Sequence, residues 1–176
     1  EGRILWLFGD TFRGAIRANG SRATGTTLVH NSIVVTRGTC VEVMQAPREA
    51  LPGRGDTWLW PTHAVVTTAA SPSSLTHLDV FAQRIRRTGP GTWDYERVGT
   101  ALIDITVPWL GAPRVGSAMN LPADDVLWGA AILRDGDTVY LYGTRAVSEP
   151  LVFGRDLLLA RVAVTDVTDP RHWEYR

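Results

Sequence analysis

At 176 residues the chain is long enough for one domain and too short for two comfortable ones. With 44% hydrophobic and 20% charged residues it falls in the ordinary globular range, which excludes a disordered chain. Its basic residues are all arginine, eighteen of them against eighteen acidic residues, and zero net charge excludes the concentrated basic face of a phosphate-backbone binder. The nearest approach to such a face is Arg84, Arg86 and Arg87, read as an outward strand face plus a turn. Cys40 is the only cysteine, so neither an intrachain disulfide nor a cysteine metal cage can form. It falls in an apolar-alternating run, where a buried small hydrophobe is expected. No apolar run reaches the length of a membrane span, and no signal peptide is present.

In chain order, strand-like runs rich in Val, Ile, Leu, Thr and aromatics cover Arg3 to Phe8, Ser32 to Thr36, Cys40 to Met44, His63 to Thr68 and Leu78 to Ile85. They continue at Val98 to Thr106, Leu127 to Leu133, Thr138 to Tyr142 and Leu157 to Val164. Most are bounded by Gly, Pro, Asp or Ser, and helical periodicity is hard to find. Arg134-Asp135-Gly136-Asp137 carries the Asp-Gly hairpin signal, and Arg37-Gly38-Thr39 reads as a second tight turn. Segments also recur: Leu5-Trp6-Leu7-Phe8-Gly9 with Tyr140-Leu141-Tyr142-Gly143, Trp60-Pro61-Thr62-His63 with Trp128-Gly129-Ala130-Ala131, and Trp93-Asp94-Tyr95 with Trp173-Glu174-Tyr175. Repetition of four-stranded sheets makes a propeller. The expected fold is all-β: a partial β-propeller of about two and a half four-stranded antiparallel blades. Residues 1–176 form one domain on this reading, with a partial blade over 1–45, a whole blade over 58–119 and a partial blade over 126–176. No closed propeller is that small, so the chain is expected to be a fragment. The remaining blades would come from the parent chain or a partner, because open ends leave unpaired strand edges.

Ile4-Leu5-Trp6-Leu7-Phe8-Gly9-Asp10-Thr11-Phe12 followed by His30-Asn31-Ser32-Ile33 resembles the opening of the bacterial domain-of-unknown-function family 4185 and its relatives. Trp128-Gly129-Ala130-Ala131 with Val139 to Gly143, and Leu159-Ala160-Arg161-Val162 with Trp173-Glu174-Tyr175, resemble later blades of that group. The resemblance implies a five-bladed propeller similar to the arabinanase and xylosidase superfamily, in exported bacterial proteins, some of them glycoside hydrolases. It also admits a channel calcium ion, which related propellers sometimes hold and which nothing in this sequence specifies. No cofactor is otherwise expected.

Propellers bind ligands at one end of the central channel, and that end gathers carboxylates, an imidazole, a guanidinium and indoles here. Glycoside hydrolysis needs two carboxyl groups, about 5 Å apart for retention or roughly 6.5–9.5 Å for inversion. Asp10 is the first catalytic candidate, as base or nucleophile at the end of an apolar strand; its bland alternative is a turn cap. Asp125 and Glu149 are the candidates for the acid, Asp125 because the resembled superfamily often carries acids before an inner strand. Thr11, His30, Asn31, Trp60, His63, Trp128 and Arg145 are candidate substrate contacts. For His30 and His63 the alternative is a strand-end hydrogen bond, for the indoles blade-to-blade packing, and for Arg145 a surface position. No metal ligand set is expected, since no HExxH or paired-histidine spacing occurs. Neither a nucleophile elbow around Ser32 or Ser117 nor a glycine-rich nucleotide loop is present. The expected function is a glycoside hydrolase-like domain acting on a polysaccharide such as an arabinan. The alternatives are a non-catalytic carbohydrate-binding propeller and a structural or interaction array.

Overall fold

The computed structural model describes residues 2–44, 49–68, 75–122, 125–147, 149 and 154–176. The described residues form an all-β arrangement of thirteen strands with two single-turn 3-10 helices, Val164–Asp166 and Pro170–His172. The first three-stranded sheet joins β1 (Arg3–Phe8), β4 (Ser32–Arg37) and β5 (Cys40–Val43) in the order β1-β4-β5. A short hairpin, β2 (Thr11–Arg13) with β3 (Thr27–Val29), is inserted between β1 and β4. The second sheet is a meander of β6 (Thr57–Thr68), β7 (Thr76–Arg87), β8 (Tyr95–Val107) and β9 (Arg114–Asn120). The third repeats the meander with β10 (Val126–Asp135), β11 (Thr138–Ala146), β12 (Arg155–Ala163) and β13 (Glu174–Tyr175). All pairings are antiparallel and no sheet closes on itself, as in a partial propeller.

The sheets stack through two apolar layers, and strand periodicity explains why. Along β7, Val80 and Ala82 enter one layer while Phe81, between them, enters the other. The first layer puts Leu5, Leu7 and Ile33 of the first sheet against Val80, Ala101, Ile103 and Ile105 of the second. The second layer puts Val65, Phe81 and Leu102 against Val139, Leu141, Ala160 and Val162 of the third sheet. A strand buried on both faces reads as a continuous apolar run, as Val80-Phe81-Ala82 does.

Both expected hairpins form. Asp135 pairs with Thr138 around Gly136 (φ 58°), and Arg37 pairs with Cys40 around Gly38 (φ 57°). The repeated inner-strand motif also has a structural counterpart. β6 bulges between Pro61 and His63, and β10 bulges between Trp128 and Ala131. The Trp93 and Trp173 motifs are not equivalent, because one leads into the third strand of its sheet and the other into the fourth. Cys40 departs from expectation. It is exposed, because β5 is an edge strand exposed along its whole length. Two arginines lock neighbouring sheets at their ends. Arg3 donates to the Pro108 carbonyl (2.7 Å) and the Gly111 carbonyl (2.6 Å), and Arg134 donates to the Val66 carbonyl.

Candidate functional site

The turn after β1 is closed by Thr11, whose hydroxyl donates to the Gly9 carbonyl (2.8 Å) and lies 2.9 Å from the Ser32 hydroxyl. The Asp10 carboxylate reaches two other parts of the chain. Its Oδ1 accepts a hydrogen bond from the indole N–H of Trp60 (2.7 Å) and sits 3.2 Å from His30 Nδ1. These partners come from three places in the chain: the β1–β2 turn, the end of β3 and the first half of β6.

Asn31 explains how they are kept in register. It is 1% exposed, and both its amide donors are used, on the carbonyls of Leu51 and Leu59 (2.9 Å each). Its Oδ1 accepts from the Leu51 amide at 2.6 Å. The side chain thus pins the segment around Leu51 and the start of β6 to the β3–β4 connection, with no donor left for a ligand. The His30 amide donates to Glu49 Oε1 at 3.4 Å, which brings a second carboxylate to the same place.

Aromatic side chains form the wall. Trp58 and Trp60 share one face of β6 by strand alternation. Trp58 stacks on the His30 ring (centroids 4.4 Å apart, planes 20° from parallel), and Trp60 meets Tyr95 edge-on at 5.1 Å. The loop before β8 is folded around Asp94, whose Oδ2 accepts from the Gly91 amide at 2.7 Å. That fold leaves the neighbouring Trp93 80% exposed, 6.4 Å from Tyr95. The Arg87 guanidinium lies 5.5 Å above the Trp58 ring and donates to the Gly91 carbonyl (3.1 Å). Arg87 therefore belongs to the site wall rather than to an outward basic face.

Two hollows meet at this wall. One, of about 540 Å³, is lined by Asp10, His30, Trp58, Trp60, Trp93 and Tyr95 among others. The second, of about 880 Å³, runs past His30, Trp58 and Arg87 to Glu49 and Asp56. Together they make an open cleft at one end of the stacked sheets. Its carboxylates are Asp10, Glu49 and Asp56.

Asp10, His30 and Trp60 are thus brought together, with Thr11 and Asn31 supporting them from behind. The other sequence candidates lie elsewhere. Asp125 is on the third sheet, where its Oδ2 lies 3.9 Å from Arg145 Nε, and Arg145 also reaches Asp156 (3.3 Å). These ion-pair groups are well exposed and do not line the cleft. Trp128 is buried and packs edge-on against Trp173 at 5.5 Å. His63 is exposed on β6 beyond the bulge, and Glu149 is exposed in a bend. Asp124, beside Asp125, falls outside the described residues. Sequence reasoning missed Trp58, Tyr95, Trp93, Arg87, Glu49 and Asp56. For Trp58 a signal existed, since Trp58-Leu59-Trp60 places two rings on one side of an extended chain. Among the described residues there is no group of three or more His, Cys, Asp or Glu side chains that could hold a metal ion. No described helix is long and apolar enough to cross a membrane.

A family model described as a domain of unknown function (DUF5005) matches residues 1–176. No curated protein and no solved structure matches the chain.

Proposed function

The chain belongs to the DUF5005 family over residues 1–176, and from that premise we propose that its cleft binds a saccharide, in the manner of a glycosidase-like propeller acting on a polysaccharide. The observation that carries this reading is the Asp10–His30 pair set against the rings of Trp58, Trp60 and Tyr95. A sugar presents apolar C–H faces and polar hydroxyl edges at once. Ring faces such as that of exposed Trp93 take up the first, and carboxylate and imidazole groups take up the second. The cleft's two hollows give room for more than one sugar unit, as a polysaccharide chain requires. The resemblance to domain-of-unknown-function family 4185, some of whose relatives are glycoside hydrolases and some of those arabinan-cleaving, favours the same substrate class.

Hydrolysis of a glycosidic bond is the second reading, favoured by Asp10 in one hollow and Glu49 and Asp56 in the hollow that shares His30, Trp58 and Arg87 with it. Asp125 and Glu149, the acids expected from sequence, do not line it.

Both readings are tested on one panel of arabinans, arabinogalactan and xylans, by affinity electrophoresis and by release of reducing sugar. Retardation that weakens about tenfold or more in Trp93→Ala supports binding, as expected for loss of a stacking platform. Release that collapses in a folded Asp10→Asn variant supports hydrolysis. Retardation without release leaves the domain a binding module. Neither signal across the panel would remove the saccharide reading.

A further inference from the structure

The contacts of Asp10 assign it a different part from the one its position at a strand end suggests. Its Oδ1 takes the indole N–H of Trp60 at 2.7 Å and faces His30 Nδ1 at 3.2 Å. A carboxylate has acceptors only, so the short contact to His30 requires the imidazole proton on Nδ1. A neutral imidazole protonated at Nδ1 has its lone pair on Nε2. The ring lies stacked on Trp58 at 4.4 Å, which holds its plane. His30 also lines both hollows of the cleft, with Trp58 and Arg87, so the imidazole stands where the two meet.

We propose that Asp10 is a positioning residue that fixes His30 in the Nδ1–H form, and that His30 Nε2 is the cleft's proton acceptor toward a bound hydroxyl group. The inference rests on the saccharide reading for the identity of the ligand, though not for the pairing itself. The logic is that of any carboxylate–imidazole pair: the carboxylate sets tautomer and orientation and stabilises the imidazolium when it forms. A hydroxyl proton of the ligand, or of a water beside it, moves to Nε2, and its bonding electron pair stays on the oxygen as alkoxide or hydroxide. The resulting imidazolium keeps its Nδ1–H on Asp10, and return of the proton from Nε2 to that oxygen restores both groups. The other ionisable side chains lining the cleft are Glu49, Asp56, Arg87 and Tyr95. Of these, Glu49 meets the His30 residue through its backbone amide rather than its ring.

The tautomer is directly observable without any ligand, by long-range proton–nitrogen correlation of the imidazole in the 176-residue chain. The His30 signals are identified by their loss in His30→Gln and read at a pH where the ring is neutral. The expected spectrum has a protonated Nδ1 and a bare Nε2. In Asp10→Leu no acceptor faces Nδ1, and the proton is expected to move to Nε2, the form a free histidine side chain favours. A protonated Nε2 in the parent, or the same tautomer in parent and Asp10→Leu, overturns the assignment. Asp10→Glu guards against a fold defect, because a retained carboxylate should retain the Nδ1–H form. A second measurement follows Nε2 during titration with arabino-oligosaccharides. Binding with an Nε2 shift supports the acceptor role, and binding that leaves Nε2 unmoved overturns it. No binding by these sugars, with the expected tautomer shift intact, removes the saccharide reading and upholds the Asp10–His30 pairing.

Discussion

Asn31 and Asp79 are both buried polar side chains, and they differ in how far the fold satisfies them. Asn31 holds three backbone groups, the amide of Leu51 and the carbonyls of Leu51 and Leu59. Asn31→Ala would strand all three, at a cost of about 3 kcal/mol or more. A lower urea midpoint with an unchanged slope would show it, and an unchanged midpoint would mean that water replaces the amide. Asp79 is 6% exposed on β7, directly opposite Asp104 on β8. Burial, and then the Asp104 charge, raise its carboxyl from 3.8 to about 6, with His77 pulling the other way. A carboxyl whose folded value is raised favours the fold in its neutral form. Its contribution is therefore complete below the unfolded value near 3.8 and is lost as pH rises to about 6. Above that window the penalty is constant at roughly 3 kcal/mol, taking about 1.36 kcal/mol per pH unit. The parent should therefore lose stability relative to Asp79→Asn between pH 4 and pH 6 (roughly), with the difference constant above that window. Equal urea midpoints at both ends of the window would refute this. In the sequence, Asn31 next to His30 looks like a ligand contact, because the carbonyls that claim its amide lie 20 and 28 residues away. Nor does anything local announce that Asp79 will face Asp104, since that juxtaposition depends on the β7–β8 register.

At the scale of elements, alternation and turn chemistry made most of the strands legible. The apolar runs locate β1 and β4 closely, and Asp135-Gly136 marks the β10–β11 hairpin. Three kinds of strand escaped, each for a physical reason. β9 (Arg-Val-Gly-Ser-Ala-Met-Asn) carries little strand preference of its own and is recruited by pairing with β8. The two- and three-residue strands β2, β3 and β13 are too short to show a period. The start of β6 is the third: the Trp60-Pro61-Thr62-His63 motif is legible as the opening of an inner strand, but the residues from Thr57 to Leu59 before it are not. Pro61 is tolerated within the strand because β6 is the edge of its sheet and Pro61 sits at a bulge. The overlooked residues include Trp58, part of the site wall. The matching bulge in β10 depends on Gly129, which has φ 78° and no room for a Cβ, since one would overlap Phe81. Gly136 is also left-handed (φ 58°), but a Cβ there meets nothing within 4 Å. Gly136→Ala should therefore cost about 1–2 kcal/mol, from backbone strain alone. Gly129→Ala should cost clearly more, by at least about 1 kcal/mol, because the inter-sheet contact must also open. Comparison of the two urea midpoints checks the difference, and equal losses would mean that Phe81 moves aside freely.

At the scale of the whole molecule, the repeat of sheets legible in the sequence becomes a stack in which, among the described residues, the second sheet is covered on both faces. The first sheet turns Leu5, Leu7 and Ile33 inward, which by alternation turns Ile4, Trp6 and Phe8 outward. Cross-strand pairing sets Ile4, Thr36 and Val41 in one row and Trp6, Val34 and Val43 in the next, so the outward residues form one contiguous apolar face. Ile4, Trp6, Phe8, Val41 and Val43 are all substantially exposed, and Leu133 and Leu157 are exposed on the outer face of the third sheet. No charged side chain interrupts the two rows of the first sheet, and β1 and β5 are both sheet edges, which are ready templates for pairing. The 176-residue chain is therefore expected to associate with itself as its concentration rises, through these faces rather than through the cleft. Light scattering across a dilution series measures this. A Trp6→Glu, Val41→Lys double variant should lower the average mass while leaving the far-ultraviolet circular dichroism of the strands unchanged. The His30 tautomer should be the same in the double variant, because Trp6 and Val41 do not line the cleft. A parent chain that stays monomeric up to high concentration would show that its outward apolar faces are not adhesive. A double variant that unfolds would show instead that Trp6, whose indole donates to the Thr36 hydroxyl (3.1 Å), helps to hold β1 on β4.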